Sequence, residues 1–359
     1  MKIVFITRST LYKVPGGDTE QITQTARCLE DLGIKADVRL TSEPIEYDQY
    51  DLLHFSNIIR PSDILYHTHK TNKPFVISPN LIDYSEYDKK YRKGVTGLIF
   101  HLFSANTNEY LKTIVRWLLR KDILKSKSYV RKGHKKSIQE ILENASLLLP
   151  NSNSELAFLR KAYSVNSPYF VVPNGINTSV FTPNSPFLRD SSLVICAARI
   201  EGIKNQFNLI RALNNTPFTL MLIGDAAPNQ QKYYRKCRDM AADNVIFTGR
   251  LAQEQLARIY KKAKVHVLPS WFETCGISSL EAAAMGCNVV ITEKGYAREY
   301  FGNDAFYCDP SDPASILRAV EQASQHDPQK DLQNKVLNNY TWHRAASITV
   351  EAYKKIIPV

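Results

Sequence analysis

The chain has 359 residues, 44 % hydrophobic and 23 % charged, too long for one ordinary core and suited to two globular domains. Its six cysteines, Cys28, Cys196, Cys237, Cys275, Cys287 and Cys308, form no C-x-x-C pair and no tight set with histidine, which argues against a disulfide framework or a zinc site. The formal charge of +11 is local: positions 89–136 carry 14 Lys/Arg against Glu109 and Asp122, while the remainder balances 32 bases with 33 acids.

The N-terminus runs from Met1-Lys2 directly into an apolar strand over 3–7, without the longer apolar region and small-residue cleavage site of a signal peptide. No uncharged apolar run reaches the length of a membrane span, so a cytoplasmic location is expected. A loop containing Pro15-Gly16-Gly17 follows, and 19–32 reads as a helix, with Ile22, Ala26 and Leu29 on one face. Gly33 marks its end, and a second strand opens at 36–38. Strand, glycine loop, helix and strand begin a doubly wound domain, and the loop lacks the G-x-G-x-x-G dinucleotide fingerprint. The runs at 50–55 and 74–78 read as further parallel strands, with His54 a structural histidine at a strand end.

The stretch 81–136 is the least regular. Leu111, Ile114, Val115, Leu118 and Leu119 fall on one helical face, interleaved with or followed by bases. A basic amphipathic helix with an interfacial tryptophan suits an anionic bilayer, with Lys112, Arg116, Trp117, Arg120, Lys121 and Lys125 as the expected contacts. The alternative is a solvated basic face above an ordinary buried stripe. Nucleic acid is disfavoured because no zinc finger, RNP motif or aromatic-rich sheet accompanies the charge.

Further on, 145–152 reads as a strand and loop, 154–163 as a helix, and Pro173-Asn174-Gly175 as a tight turn between two α/β halves. The second half begins with a strand at 192–197, followed by Arg199 and Lys204 on a strand-to-helix loop. Two cations so placed can grip a diphosphate, one as a planar fork and one as a point charge. Strands at 219–224, 244–249 and 288–292 and a helix over 252–263 complete a second alternating pattern. The apolar strand at 265–268 leads through Pro269-Ser270 into Trp271 to Gly286, WFETCGISSLEAAAMG. There Glu273 precedes a helix, Glu281 lies inside it, and the helix mouth offers unpaired N–H groups and partial positive charge to a phosphate.

This stretch resembles the E-x7-E signature of retaining glycosyltransferases of sequence family 4, through E-x-x-G-[IL] followed by L-E-A-x-A-x-G. Ala198-Arg199-Ile200 to Lys204 is similar to that family's G-R-L-x-x-x-K, the segment 173–177 to its P-N-G turn, and Gly16-Gly17 to its donor-diphosphate loop. Gly295 and Glu299 stand where the family often has G-G-x-x-E. The family's K-P-x-V-x-T-x-H pattern falls on 73–80, where Asn80 takes the place of the histidine that contacts the donor sugar.

The resemblance implies the α/β GT-B fold, with two doubly wound Rossmann-like domains facing a central cleft. An acceptor-binding domain would span 1–172, with a basic insertion at about 89–136, and a nucleotide-sugar-binding domain 173–341. The terminal helix, 342–359, would cross back to the first domain. It further implies a nucleotide-sugar donor held by Gly16, Gly17, Arg199, Lys204, Arg250 and the run Thr274, Cys275, Gly276, Ile277 and Ser278. Glu281 would bind the ribose, Glu273 the donor sugar, and Asn80 is the remaining candidate for the catalytic set. No D-x-D motif occurs, so neither a metal nor another cofactor is expected. The basic segment points to a lipid-linked saccharide acceptor at the inner face of the cell membrane, in surface polysaccharide or glycolipid synthesis. A nucleotide-sugar epimerase or a phosphorylase of the same fold, and a non-catalytic basic scaffold, are the competing readings.

Overall fold

The computed structural model describes residues 1–91, 103–119, 123–183 and 188–357. They form two compact units: Met1–Pro173 with His343–Val359, and Asn174–Trp342.

The first unit contains β1 (Lys2–Thr7), α1 (Gly17–Asp31), β2 (Lys35–Leu40), β3 (Leu52–Ser56), α2 (Pro61–Thr68), β4 (Phe75–Ser78), α3 (Ser85–Tyr91), α4 (Ala105–Leu118), α5 (Lys127–Asn144), β5 (Leu147–Leu148) and α6 (Asn153–Tyr163). Its sheet runs β2-β1-β3-β4-β5, all parallel. The β-branched and leucine-rich runs of β1, β3 and β4 are buried on both faces, as central parallel strands covered by helices must be.

The second unit contains β6 (Asp190–Ala197), α7 (Gln206–Leu213), β7 (Thr219–Ile223), α8 (Gln231–Met240), β8 (Val245–Gly249), α9 (Gln253–Lys262), β9 (Ala263–Leu268), α10 (Ile277–Ala284), β10 (Asn288–Thr292), α11 (Ala297–Phe301), β11 (Phe306–Cys308), α12 (Pro313–Gln325) and α13 (Lys330–Asn339). Its parallel sheet runs β11-β10-β9-β6-β7-β8. Helix α10 is apolar nearly all round and correspondingly buried, its alanines allowing close approach to the strands. A last helix, α14 (Trp342–Lys354), belongs from His343 onward to the first unit, where the buried Tyr353 hydroxyl meets His54 Nδ1 at 2.6 Å. Each unit has its own hydrophobic core.

The stretch after β4 differs from a single amphipathic helix. It contains three described helices, and α5 is kinked at Gly133, whose φ of 76° and ψ of 178° are open to glycine alone. The apolar stripe of α4 is not buried: Leu111, Val115, Leu118 and Leu119 are exposed, together with Phe103, Trp117 and Ile123 nearby. Among the described residues, no helix is long and apolar enough to cross a membrane.

Candidate active site

In the second unit the chain order reverses between β6 and β9, which lie side by side at the centre of the sheet. An open parallel sheet forms a crevice beyond the carboxyl ends of its strands at such a point. Leaving β6, the chain passes Arg199 and a tight turn at Gly202–Lys204; leaving β9, it passes Ser270 and Glu273 before α10. These two exits are clamped to each other. The Trp271 N–H donates to the Ile203 carbonyl at 2.9 Å. Asn205, in a left-handed conformation, donates from Nδ2 to the carbonyls of Pro269 and Pro310 at 3.0 and 2.7 Å.

The clamp sets Lys204 Nζ 2.8 Å from Glu273 Oε2, which also accepts from Ser270 Oγ at 3.0 Å. Burial alone would pull the Lys204 pKa down, but the adjoining Glu273 carboxylate outweighs it and holds the ammonium form above its usual range. Glu273 is buried, and its main chain pairs with the Lys294 carbonyl and the Tyr296 N–H at 3.0 and 2.8 Å. Glycine is required at 295 for this: a Cβ there would stand 2.2 Å from the Glu273 carbonyl oxygen. Arg199 reaches Glu201 at 2.9 Å.

Gly276 caps α10, so the helix's first N–H groups and its positive dipole end open at the same place. Ile277 and Ser278 are partly exposed there, Thr274 precedes them, and Glu281 is buried in the helix. Two expected donor contacts are placed differently. The Cys275 side chain is buried, its Sγ accepts from Asn174 Nδ2 at 3.2 Å, and burial pushes its thiol pKa up to about 12. It leaves only its main chain to meet a ligand. Arg250 stands beyond β8, two strands from β6, with its N–H on Asp225 at 3.1 Å.

In the first unit the order reverses between β1 and β3. Gly16 caps α1 beyond β1, and its N–H donates to Thr19 Oγ1 at 3.0 Å. The loop before it is fixed by Arg8, whose guanidinium forks onto Asp18 at 2.6 and 3.0 Å and onto the carbonyls of Thr10 and Val14 at 2.9 and 2.8 Å. Sequence reasoning missed both Arg8 and Asp18; an acid one position after Gly17 at a strand-to-helix turn was the available signal. Asn80 follows β4 in a left-handed conformation, and its Nδ2 donates to Gln21 Oε1 and to Ser56 Oγ, the latter at 3.0 Å. Its amide hydrogens are thus engaged, and Oδ1 is the atom left to accept from a ligand hydroxyl. His54 is structural: it bonds Tyr353 and Ser78, and burial drops its pKa to about 3.

Glu155 is a further residue that the sequence did not mark. Fully buried, it accepts from the main-chain N–H groups of Leu81 and Asn151, both at 2.7 Å, and so ties the exit of β4 to that of β5. Burial raises its pKa to about 7 against the pull of those two donors.

The expected membrane contacts divide. Lys112 turns inward to Asp88 and Glu109, both at 2.6 Å, and its side chain is 13 % exposed, so it is a structural cation rather than a surface contact. Lys125 likewise donates to the Thr41 carbonyl and lies 4.9 Å over the Tyr66 ring. Arg116 and Trp117 are exposed, while Arg120 and Lys121 lie outside the described residues.

Comparison with known proteins bears on the fold and on the second unit. The family described as "Glycosyl transferases group 1" matches residues 181–340. A D-inositol 3-phosphate glycosyltransferase of Pseudarthrobacter chlorophenolicus is 28 % identical over 250 residues, covering 59 % of this chain and 56 % of the relative. An MMP alpha-(1->4)-mannosyltransferase of Mycolicibacterium hassiacum is 24 % identical, covering 52 % and 48 %. The chain thus spans little more than half the length of the curated relatives it matches. Among solved structures, sucrose-phosphate synthase from Thermosynechococcus elongatus superposes with a TM-score of 0.76 at 17 % identity, covering 99 % of both chains. HepE of Anabaena superposes with a TM-score of 0.70 at 17 % identity, covering 99 % of this chain and all of that one. Residues 181–340 match the group 1 glycosyltransferases, and the chain has the GT-B fold.

Proposed function

We propose that the protein is a retaining glycosyltransferase that moves a sugar from a nucleotide-sugar donor to a lipid-linked saccharide at an anionic membrane surface. The observation that carries this is the Lys204–Glu273 pair at 2.8 Å, set beside the mouth of α10 at the switch point of the second sheet. Lys204, Arg199 and the helix N–H groups all follow the adjoining strands β6 and β9, and such cations and dipoles suit a departing diphosphate. In this reading Glu273 accepts from a sugar hydroxyl, and Glu281 from the ribose. The anomeric carbon–oxygen bond to the diphosphate breaks, and the acceptor oxygen bonds that carbon on the same face. The acceptor proton passes to the leaving phosphate oxygen. Arg199 and Lys204 supply the charge that a divalent ion would otherwise bring, so the reaction is metal-independent.

Support for the donor class comes from HepE of Anabaena, whose structure was solved with UDP-glucose. Two of the relatives named above are a glycosyltransferase acting on D-inositol 3-phosphate and a mannosyltransferase. Support for a membrane surface comes from α4, where Val115, Trp117 and Leu118 are exposed beside Arg116, with Lys127, Arg131, Lys135 and Lys136 exposed on α5. An enzyme so docked would act in surface polysaccharide or glycolipid assembly at the inner face of the membrane.

The test is thermal shift and hydrolysis with UDP-, GDP-, ADP- and CMP-sugars, on wild type and Glu273→Ala. One sugar nucleotide should raise the melting temperature and be slowly hydrolysed, with hydrolysis lost in the variant. The anomeric configuration of the transfer product, read by NMR, should match the donor. Stabilisation by none of the four classes would overturn the reading.

A further inference from the structure

The first unit holds a cavity of about 120 Å³ immediately beyond Asn80, walled by the loop that follows β4 and by α3, α4, α5 and α6. Its floor is fixed, because the Leu81 N–H is held by the buried Glu155 carboxylate. Leu81 and Phe158 give it an apolar wall. Tyr163 adds an aromatic one and is tied to Asn106 at 3.3 Å. Asp83, Asp88 and Glu109 bring three carboxylates to the same cavity. Among the described residues of the basic insertion, Lys112 is the cation that meets them. Lys112 is held at 2.6 Å by both Asp88 and Glu109, and among the described residues no cation is paired with Asp83. His134, also in the wall, is kept neutral by burial, which drops its pKa to about 4.

The described lining of this cavity is thus acidic, in a protein of net charge +11. Apolar and aromatic walls with a few convergent polar groups are the usual make-up of a small-molecule site. Carboxylates accept strong hydrogen bonds from ligand hydroxyls and repel phosphate or carboxylate groups placed against them. We infer that this cavity receives the uncharged, hydroxyl-rich end of the acceptor saccharide and discriminates against phosphorylated or carboxylated ones. The inference rests on the glycosyltransferase reading for the word acceptor, but the binding it asserts does not. It sets this chain apart from the relatives whose names specify D-inositol 3-phosphate. The opposite side of α4 carries the exposed Leu111, Val115 and Leu118, so one helix offers a polar recess and an apolar surface to the two ends of an amphiphilic acceptor.

The experiment uses the full chain without donor. Saturation-transfer NMR is run with neutral disaccharides, with glucuronic acid and with inositol phosphate, on wild type and on Asp83→Asn. That variant keeps the Oδ1 atom accepting from the Ser85 N–H at 2.8 Å, and its melting temperature reports that the fold is intact. Wild type should bind neutral saccharides and neither anion. Asp83→Asn should weaken neutral binding about ten-fold, the effect of one charge-assisted hydrogen bond. Equal or tighter binding of inositol phosphate by wild type would overturn the inference, as would unchanged neutral binding in Asp83→Asn. Donor hydrolysis on the same samples separates the two claims. Hydrolysis without neutral-saccharide binding sinks the cavity inference alone, while saccharide binding without any donor response sinks the glycosyltransferase reading alone.

Discussion

Lys204 and Glu273 are each other's counter-ion at 2.8 Å, so the structural consequence of removing either must be separated from the proposed functional one. Lys204→Met leaves a largely buried carboxylate unpaired, and the melting temperature should fall. In the double variant Lys204→Met/Glu273→Gln the buried charge is gone, and the melting temperature should recover. Donor affinity should not recover: calorimetry should show a loss of roughly 10- to 100-fold in both, the worth of a charged hydrogen bond to phosphate. Recovery of donor binding in the double variant would make the pair structural only. Glu155 gives a prediction in pH. Its folded pKa of about 7 lies above its ordinary 4.5, so the fold holds a proton that the unfolded chain has released. That contribution is complete below pH 4.5 and is lost as pH rises to about 7. Relative to Glu155→Gln, wild type should therefore lose about 3 kcal/mol across this window in urea unfolding. A constant difference would place the Glu155 pKa near its ordinary value.

At the level of elements, the exposed face of α4 separates stability from docking. Val115→Glu and Leu118→Glu alter exposed positions, so unfolding should change by no more than about 0.5 kcal/mol. Binding to vesicles containing anionic lipid should be lost in a flotation assay, since each places a charge where the helix would enter the interface. Retained flotation would move the docking surface elsewhere. In α5 the kink at Gly133 has open space around it, so Gly133→Ala meets no clash and only backbone strain; equilibrium unfolding should show a loss of about 1–3 kcal/mol. These helices also show where the sequence stops being legible. The spacing of Leu111, Val115 and Leu118 shows that they share a face. Whether another element covers that face is decided by residues far along the chain. Lys112 counts as a surface charge until Asp88 is seen beside it, and Asn80 as a free amide until Gln21 and Ser56 claim its hydrogens. The strands read well because burial on both faces leaves a continuous apolar run, and the Glu273–Glu281 stretch because a β-strand, a loop carboxylate and a helix mouth are contiguous. Contacts between distant loops leave no periodicity to read.

For the whole chain, the last segment of sequence completes the first unit, and the groups proposed for the donor diphosphate, apart from the Gly16-Gly17 loop, sit in the second. Local stability should therefore respond to different perturbations in the two units. Tyr353 is fully buried on α14 and its hydroxyl is the partner of His54 Nδ1, itself buried against β1 and β4 through Phe5 and Ser78. Tyr353→Phe keeps the ring and removes the oxygen, leaving a buried ring nitrogen without its partner at a cost of about 1–3 kcal/mol. Because His54 is neutral, the loss should be the same at pH 6 and pH 8. Hydrogen exchange should show reduced protection in β1, β3 and β4, the strands around His54. A nucleotide sugar at about 100 times its dissociation constant adds about 2.7 kcal/mol to whatever opening releases it. Its protection should appear first in β6, β9 and the first turn of α10, where Lys204, Glu273 and the helix N–H groups converge. If donor protected no amide in those elements, the diphosphate site would not be at the β6–β9 switch point, and Lys204 and Glu273 would be a buried ion pair with no ligand to serve.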